Sequence, residues 1–288
     1  MRFEGPIAAL VTPFDSQGDI HWSNFDRLVD SLIDQGIEAV VPASVSGECF
    51  SLTANERLQL MSRVAGLGCA KIASTFSTSV SNILELCHEA VRLKYDGILV
   101  STPVGYVMTD DEIEDFLRFI ASEISGPLIV YNYPSKFGSD ITPAIVARLI
   151  AHKNIIGYKD TSGSVARVQE ALLRLERDLE LICGVDELEY ECFAWGYKSI
   201  LGGSACFLGK QHRQLLQFVK VGDLHAARNL SKQLRPIFDY MAQSKSYIQL
   251  CKLGCALRGV DVGSARLPLK DLPPEHREAF SHIMALAN

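Results

Sequence analysis

Short apolar runs rich in Val, Ile and Leu alternate with helix-like segments of about 10 to 18 residues along most of this chain. The runs are apolar nearly throughout rather than at every second position, so they predict strands covered on both faces, as in a parallel sheet wrapped by helices. This alternation restricts the chain to a few α/β folds. Eight such runs can be counted, at residues 7–12, 39–43, 71–75, 97–101, 127–131, 155–159, 180–183 and 199–203.

Eight units favour a closed (β/α)8 TIM barrel over an open doubly wound sheet. The chain has 288 residues, and such a barrel occupies about 250 residues as a single unit. Strand-like runs stop beyond residue 222, whereas helical periodicity continues at 224–241, 247–258 and 274–286. We therefore expect an α/β barrel over residues 1–222 and a C-terminal helical extension over residues 223–288 that packs on it.

Helix-start signals follow the predicted strands. Thr53 stands three residues before Glu56, and Thr109 three before Glu112, which predicts two capping boxes. Ser23 precedes a periodic apolar stripe and is the predicted start of the first helix. No Gly-x-Gly-x-x-Gly follows the first strand, so binding of NAD is disfavoured.

Composition excludes several classes of partner. The net charge is −6 and Lys and Arg form no cluster, so nucleic acid is not expected as a partner. No stretch approaches the roughly 18 apolar residues of a membrane span, and the N-terminus lacks the apolar run of a secretion signal. We therefore expect no membrane association and a cytoplasmic location.

The eight cysteines lie inside apolar, periodic segments, which suits reduced thiols in a reducing compartment. Cys251 and Cys255 are four residues apart on a predicted helix, but no His or second Cys pair joins them. We interpret them as part of a helix core face and expect no metal site.

The active site of a barrel of this kind forms at the carboxyl ends of its strands. The sixth run ends in Lys159, a charged residue after an apolar stretch. Desolvation in the barrel mouth would lower the pKa of its amine and free the lone pair for attack on a carbonyl. Alternatively, Lys159 reaches solvent or pairs with Asp160.

Three further strand ends carry polar groups, and a fourth, after the eighth run, carries two glycines and a serine. Tyr131 ends the fifth run and could relay a proton, although a lone Tyr is more often a core aromatic. The second run leads into a turn, residues 44–48, whose amides and Ser46 hydroxyl could hold a carboxylate. After the seventh run, Asp186 and Glu187 could accept hydrogen bonds from hydroxyls, or could simply be the acidic first turn of a helix. Residues 202–204 after the eighth run could bind phosphate, but tight packing explains their glycines equally well.

Together these motifs resemble the dihydrodipicolinate synthase and N-acetylneuraminate lyase superfamily of class I pyruvate-dependent aldolases. The likeness spans nearly the whole chain. It rests on Ala-Leu-Val-Thr-Pro-Phe at 9–14, the turn at 44–48 in place of Gly-x-x-Gly-Glu, Tyr-Asn-x-Pro at 131–134 and Gly-x-Lys at 157–159.

The resemblance implies that Lys159 forms a Schiff base with a 2-oxo acid and that Tyr131 shuttles protons. It also implies that Ser46, with the amides of Val45 and Ser46, holds the C1 carboxylate, that no cofactor is needed, and that the chain forms a homo-oligomer, a tetramer or a dimer. The substrate-binding residues expected on this basis are Val45, Ser46, Gly47, Lys136, Thr161, Gly184, Asp186, Glu187 and Gly203.

Departures from the superfamily's motifs restrict which of its reactions we expect this chain to catalyse. Dihydrodipicolinate synthases relay protons through a Thr where this chain has Val45, and through a second Tyr that only Tyr106, one place late, could replace. Their Arg for the second substrate's carboxylate falls at Lys136, which keeps the charge but loses the bidentate fork. Synthesis of dihydrodipicolinate is therefore disfavoured.

Other matches indicate a hydroxylated substrate. Residues 184–187 and 159–161 resemble segments that N-acetylneuraminate lyases use for a polyol tail, and carboxylates suit hydroxyl donors. Against sialic acid itself, the turn after the second run reads Ser-Val-Ser rather than Gly-Ser-Thr. We expect an aldolase or dehydratase of a 2-oxo-3-deoxy sugar acid or a related hydroxy-2-oxo acid. The alternatives are 4-hydroxy-tetrahydrodipicolinate (dihydrodipicolinate) synthase, which condenses pyruvate with aspartate semialdehyde, and a non-catalytic barrel that only binds a 2-oxo acid.

Overall fold

The computed structural model describes residues 3–286. Eight parallel strands pair in sequence order, and β1 also pairs with β8, so the sheet closes into a barrel. The predicted (β/α)8 barrel is therefore confirmed. The strands are β1 (Gly5–Ala9), β2 (Ala39–Val41), β3 (Ala70–Ser74), β4 (Gly97–Val100), β5 (Leu128–Asn132), β6 (Ile155–Asp160), β7 (Glu180–Cys183) and β8 (Ser199–Gly202).

Helices surround the barrel and continue beyond β8. α1, for example, packs an apolar stripe of Phe25, Leu28, Val29 and Leu32 inward. The helices within residues 3–286 are α1 (Trp22–Asp34), α2 (Ala54–Val64), α3 (Val80–Arg92), α4 (Asp110–Glu123), α5 (Pro134–Phe137), α6 (Pro143–Ala147), α7 (Val165–Leu175), α8 (Glu189–Ala194), α9 (Ala205–Lys220), α10 (Leu224–Gln243), α11 (Tyr247–Leu257) and α12 (Pro274–Leu286).

Two of the three predicted helix starts are confirmed. Thr53 and Thr109 each cap a helix in a reciprocal capping box with the glutamate three residues on. The prediction for Ser23 was wrong: α1 begins at Trp22, and the ring of His21 accepts the hydrogen bond from the Asn24 amide. A histidine nitrogen accepts such a bond as a serine oxygen does, so the usual capping residues gave no signal here.

Alternate residues of the strands fill the inside of the barrel, because successive side chains of a strand point to opposite faces. Ile7, Ile72, Ile129 and Leu201 belong to this inner cluster and are buried. Lys159 lies in register with Tyr131 on β5 and with Ile182 on β7. Because Tyr131 and Ile182 belong to the inner cluster, this register directs Lys159 into the barrel near its carboxyl end.

The chain beyond α9 is helical, as predicted, and packs on the barrel. The ring of Phe280 on α12 contacts that of Phe207 on α9 with centroids 6.3 Å apart, and both rings are fully buried. The boundary between residues 222 and 223 stays a prediction. Within residues 3–286, no helix combines the length and the apolar composition needed to cross a bilayer.

Candidate active site

Lys159 and Tyr131 lie side by side at the carboxyl ends of neighbouring strands. The Nζ atom of Lys159 is 4.2 Å from the centre of the Tyr131 ring. The Tyr131 hydroxyl lies 3.5 Å from Oγ1 of Thr161, a long contact on the next loop. An amine and a phenol that could act on one small substrate are thus adjacent.

Burial changes the acid-base chemistry of this pair. Lys159 is only 5% exposed, and desolvation lowers the pKa of its amine to about 7, although the nearby carboxylates of Asp186 and Asp160 oppose the shift. Burial raises the pKa of the Tyr131 phenol well above its usual value. Near neutral pH, a large fraction of the Lys159 amine is therefore uncharged and nucleophilic, while Tyr131 keeps its proton.

The Asp160 carboxylate forms hydrogen bonds on the opposite face of β6 from Lys159 and does not pair with Lys159. Its carboxylate accepts hydrogen bonds from the Asn132 amide at 2.8 Å, from the Tyr158 hydroxyl at 3.2 Å and from the Ser162 hydroxyl at 2.5 Å. Adjacent strand residues point to opposite faces, so this network lies behind the barrel wall. The geometry therefore favours a Lys159 amine inside the barrel mouth over one that reaches solvent or pairs with Asp160.

A glycine beside Lys159 makes room for the amine. A Cβ atom at Gly184 would lie 2.1 Å from Oγ1 of Thr161, 2.5 Å from the Asp160 carbonyl oxygen and 2.9 Å from Cε of Lys159. Real carbon atoms do not approach this closely. Gly184 after β7 therefore allows Lys159 and Thr161 to occupy one corner of the mouth.

The turn after β2 packs tightly against the residues that directly follow β1. A Cβ atom at Gly47 would lie 2.6 Å from the carbonyl oxygen of Leu10, and the Gly47 carbonyl accepts a 2.7 Å hydrogen bond from the Thr12 hydroxyl. Ser44 is buried in this turn, and its hydroxyl has no hydrogen-bond partner. A buried, unpartnered hydroxyl at the mouth is available to a ligand.

These groups surround a cavity of about 350 Å³ at the carboxyl ends of the strands. The volume suits a small organic acid. Of the eleven residues expected in the site, ten line it: Lys159, Tyr131, Val45, Ser46, Lys136, Thr161, Gly184, Asp186, Glu187 and Gly203. Gly47 is the exception, because its role in the turn places it against Leu10 rather than in the cavity lining.

Asp186 is in the cavity wall, but its oxygens are already hydrogen-bonded. The Ser204 hydroxyl donates to Oδ1 at 2.6 Å, and the Tyr247 hydroxyl donates to Oδ2 at 2.9 Å. Glu187 has a raised pKa, mainly because burial penalises its charge. The two neighbouring acids are therefore in different environments, which the sequence pattern did not indicate.

The two glycines at the end of β8 serve close packing, the simpler of their two interpretations. The Gly203 amide donates to the Tyr247 hydroxyl at 3.1 Å, and a Cβ atom at Gly203 would lie 2.9 Å from Oγ of Ser46. A Cβ atom at Gly202 would lie 2.8 Å from Oδ1 of Asp186. Both glycines bring the end of β8 against side chains of the site.

The sequence interpretation missed part of the wall. The C-terminal helices contribute to it, and Tyr247 in particular joins Asp186 to Gly203. Ser44 and an aromatic group around Tyr131 were also missed. The residues concerned are Ser44, Phe76, Tyr133, Phe238, Met241, Ala242, Lys245 and Tyr247.

Tyr106, the one candidate to replace the relay tyrosine, does not line the cavity of this chain. Its side chain is 59% exposed on the loop after β4, where Gly105 has a φ of +98°. Lys136 does line the cavity. Its side chain ends in a single ammonium group, whereas bidentate binding of a carboxylate needs the paired N–H donors of a guanidinium.

The eight cysteines are free thiols. Cys251 and Cys255 are buried on α11, in agreement with a core-face role, and Cys255 Sγ contacts the Cys206 carbonyl oxygen at 3.7 Å. Among residues 3–286, no three His, Cys, Asp or Glu side chains are grouped as metal ligands.

Comparison with known proteins agrees with this geometry. The 4-hydroxy-tetrahydrodipicolinate synthase of Geobacter metallireducens is 30% identical over 285 residues, which cover 98% of each chain. The crystal structure of a dihydrodipicolinate synthase from Bacillus anthracis superposes with a TM-score of 0.93 at 27% identity, covering 99% of this chain and 98% of that one. The chloride-inhibited dihydrodipicolinate synthase of Acinetobacter baumannii, complexed with pyruvate, superposes with a TM-score of 0.92 at 26% identity, covering 99% of each chain.

A family match extends over nearly the whole length. Residues 2–287 match the dihydrodipicolinate synthetase family. The resemblance found in the motifs at Tyr131 and Lys159 is thereby confirmed. The chain belongs to the dihydrodipicolinate synthetase family and is an enzyme of its class, the class I pyruvate-dependent lyases.

Proposed function

We propose that this chain is a Schiff-base lyase that cleaves or dehydrates a 2-oxo-3-deoxy sugar acid or a related hydroxy-2-oxo acid, using or releasing pyruvate. The observation that carries the proposal is the buried amine of Lys159, 4.2 Å from the Tyr131 ring in a cavity of small-molecule size. A lysine with a pKa of about 7 is partly neutral at physiological pH and attacks a carbonyl.

The first step joins Lys159 to the substrate. The amine nitrogen attacks C2 of the 2-oxo acid, and after proton uptake the carbinolamine loses water and leaves a protonated imine. This cation accepts the electron pair when a bond at C3 or C4 breaks, and hydrolysis later returns the free amine. Tyr131, whose phenol keeps its proton, gives and takes protons at these steps.

The turn at residues 44–48 would hold the C1 carboxylate. The unpartnered Ser44 hydroxyl and the Ser46 hydroxyl line the same cavity as Lys159, and the amides of Val45 and Ser46 would add donors. Fixing the carboxylate there turns the 2-oxo carbon toward the amine. Lys136, Thr161 and Glu187 would meet the hydroxylated remainder of the substrate.

A second candidate is 4-hydroxy-tetrahydrodipicolinate synthase, favoured by relatives of that name at about 30% identity, such as the Geobacter metallireducens enzyme. Two features oppose it: Val45 carries no hydroxyl for a proton relay, and Lys136 offers no fork for a second carboxylate. A barrel that binds a 2-oxo acid without turnover is the remaining alternative.

Borohydride reduction in the presence of pyruvate, followed by peptide mass mapping, tests the covalent step. We expect an adduct on Lys159 and none in Lys159→Ala. An adduct that persists in that variant refutes the assignment. Release of pyruvate from a panel of 2-oxo-3-deoxy sugar acids, set against consumption of pyruvate with aspartate semialdehyde, separates the two enzymatic candidates, and tight binding without either reaction supports the non-catalytic barrel.

Two broader expectations accompany this function. The free, mostly buried thiols suit a reducing compartment, so we propose a cytoplasmic enzyme. From the resemblance to its family we propose a homo-oligomer, a dimer or tetramer. Light scattering on the purified chain measures its mass directly, and a monomer under assay conditions would exclude that assembly.

A further inference from the structure

A continuous row of buried polar groups runs from the cavity wall into the helix layer behind β8. It consists of Asp186 at the mouth, Ser204 just before α9, His212 eight residues further along on α9, and Glu189 on α8. Their side chains are 6%, 0%, 0% and 1% exposed, respectively. Groups of this kind are costly to bury and persist where hydrogen bonds satisfy them.

The donors and acceptors of the row can be assigned from its distances. Ser204 Oγ lies 2.6 Å from Asp186 Oδ1 and 3.0 Å from His212 Nε2. Because a carboxylate only accepts, the serine proton points to Asp186, and the serine oxygen then accepts the Nε2–H of His212. The other ring nitrogen, Nδ1, lies 2.8 Å from Glu189 Oε2, within ion-pair distance.

The Glu189 carboxylate at the far end of the row favours the protonated form of His212. Burial alone would lower the pKa of His212, but the facing Glu189 carboxylate outweighs it and the histidine pKa is raised. The His212 ring also stacks on the Phe238 ring, with an interplanar angle of 5° and centroids 5.8 Å apart. This contact fixes the orientation of the imidazole. Phe238 lines the cavity, so the pair and the site share a wall.

Asp186 is consequently surrounded by donors. Ser204 donates to one oxygen and Tyr247 to the other, and such bonds stabilise the charged form of a carboxylate. Asp186 and Lys159 line the same cavity, and Asp186 is the charged neighbour that most raises the pKa of the Lys159 amine. The other titratable groups that face Asp186 are Tyr133, Glu187, Glu189, His212, Tyr247 and Cys251.

We propose that Asp186 is the counter-ion of the cation that forms at Lys159, and that Glu189, His212 and Ser204 are positioning residues that fix its carboxylate in the cavity wall. The proposal rests on the Schiff base proposed above. When the amine, the carbonyl and one proton become an iminium and one water, a positive charge appears in a desolvated pocket, where an unpaired cation is costly. The two other acids near it are less suited: Asp160 is bound behind the wall, and burial raises the pKa of Glu187.

The test is the pH dependence of borohydride-trapped pyruvate adduct on Lys159, followed by intact mass. In Asp186→Asn the negative neighbour is lost, so the midpoint should fall by about one pH unit and pyruvate binding should weaken about tenfold. Ser204→Ala and His212→Gln should shift the midpoint in the same direction by less, because Asp186 remains but loses its support. A purely structural role would lower stability without moving the midpoint.

His276→Gln is the matched control. Its ring accepts or donates a 2.8 Å hydrogen bond with the Tyr240 hydroxyl among the C-terminal helices and does not line the cavity, so the midpoint should stay at the wild-type value. Circular dichroism checks folding, and Asp186→Asn with Ser204→Ala decides the matter if His212→Gln does not fold. A normal adduct with an unchanged midpoint in Asp186→Asn overturns the counter-ion alone, whereas a wild-type chain that forms no adduct overturns the proposed function.

Discussion

Lys252 on α11 places its Nζ atom 2.8 Å from Oε1 of Glu48, in the turn that follows β2. Both side chains are buried, and the same ammonium donates to the carbonyls of Thr12 and Ser264 at 2.8 and 2.7 Å. The other Glu48 oxygen accepts the Arg266 amide at 2.8 Å. The turn proposed to bind the substrate carboxylate is therefore anchored to the C-terminal segment by charge.

Loss of one partner of this pair should destabilise the protein strongly. In Lys252→Met the Glu48 carboxylate stays buried without its cation, so the free energy of unfolding should fall by about 3–5 kcal/mol. Urea denaturation measures it. Lys270→Met, at an exposed position, is the control and should change stability by no more than about 0.5 kcal/mol.

The double variant Glu48→Gln with Lys252→Met separates charge from packing. In this variant a neutral amide replaces the carboxylate that would otherwise be buried without its cation. The double variant should therefore recover part of the stability lost in Lys252→Met. If the double variant were as unstable as the sum of its single variants, the two residues would not be coupled and the anchoring role would be lost.

Gly184 should be essential for activity because it makes room for Lys159. A methyl group there would collide with Thr161 Oγ1, with the Asp160 backbone and with Cε of Lys159. Gly184→Ala should therefore displace the amine and lower kcat by about 10²-fold. Steady-state kinetics on folded protein measures this. At Gly66 an added methyl meets nothing within 4 Å, so Gly66→Ala should keep wild-type kcat, and equal activity in both variants would exclude a tight fit at Gly184.

Much of this architecture could be predicted because its signals are local. An apolar run interrupted by a charge marks Lys159 as unusual without any knowledge of its neighbours, and the capping boxes at Thr53 and Thr109 span four residues each. Strand periodicity then puts Lys159 and Tyr131 at the same end of the barrel.

The remainder depends on contacts between distant segments. Tyr247 and Lys252 lie on a helix whose apolar pattern predicts packing but does not say which strand end it meets. The partners of Asp186 likewise come from α9 and α11, so its sequence context of two adjacent acids could not distinguish a free acceptor from a hydrogen-bonded one. Gly47 fits the family motif, yet its role is in packing the turn.

The rate of Schiff-base formation should rise with pH and level off near neutrality. Only the unprotonated amine attacks, and burial lowers the pKa of Lys159 to about 7, so the rate should increase as pH rises through that value and be flat above it. Rapid-quench trapping of the pyruvate adduct measures the profile. A rate still climbing at about pH 10, where ordinary lysines titrate, would show that the amine is solvated in solution.

Tyr131→Phe should separate binding from turnover. The ring that packs beside Lys159 is retained, so pyruvate should still give a trapped adduct, but the loss of the proton carrier should slow turnover by about 10²-fold or more. Tyr95→Phe is the control: it removes a buried 2.8 Å hydrogen bond to the Met61 carbonyl in the helix layer, which should cost about 1 kcal/mol of stability and leave kcat unchanged. Unchanged turnover in Tyr131→Phe would remove this phenol from the mechanism, whereas loss of the adduct itself would assign it to the formation of the imine.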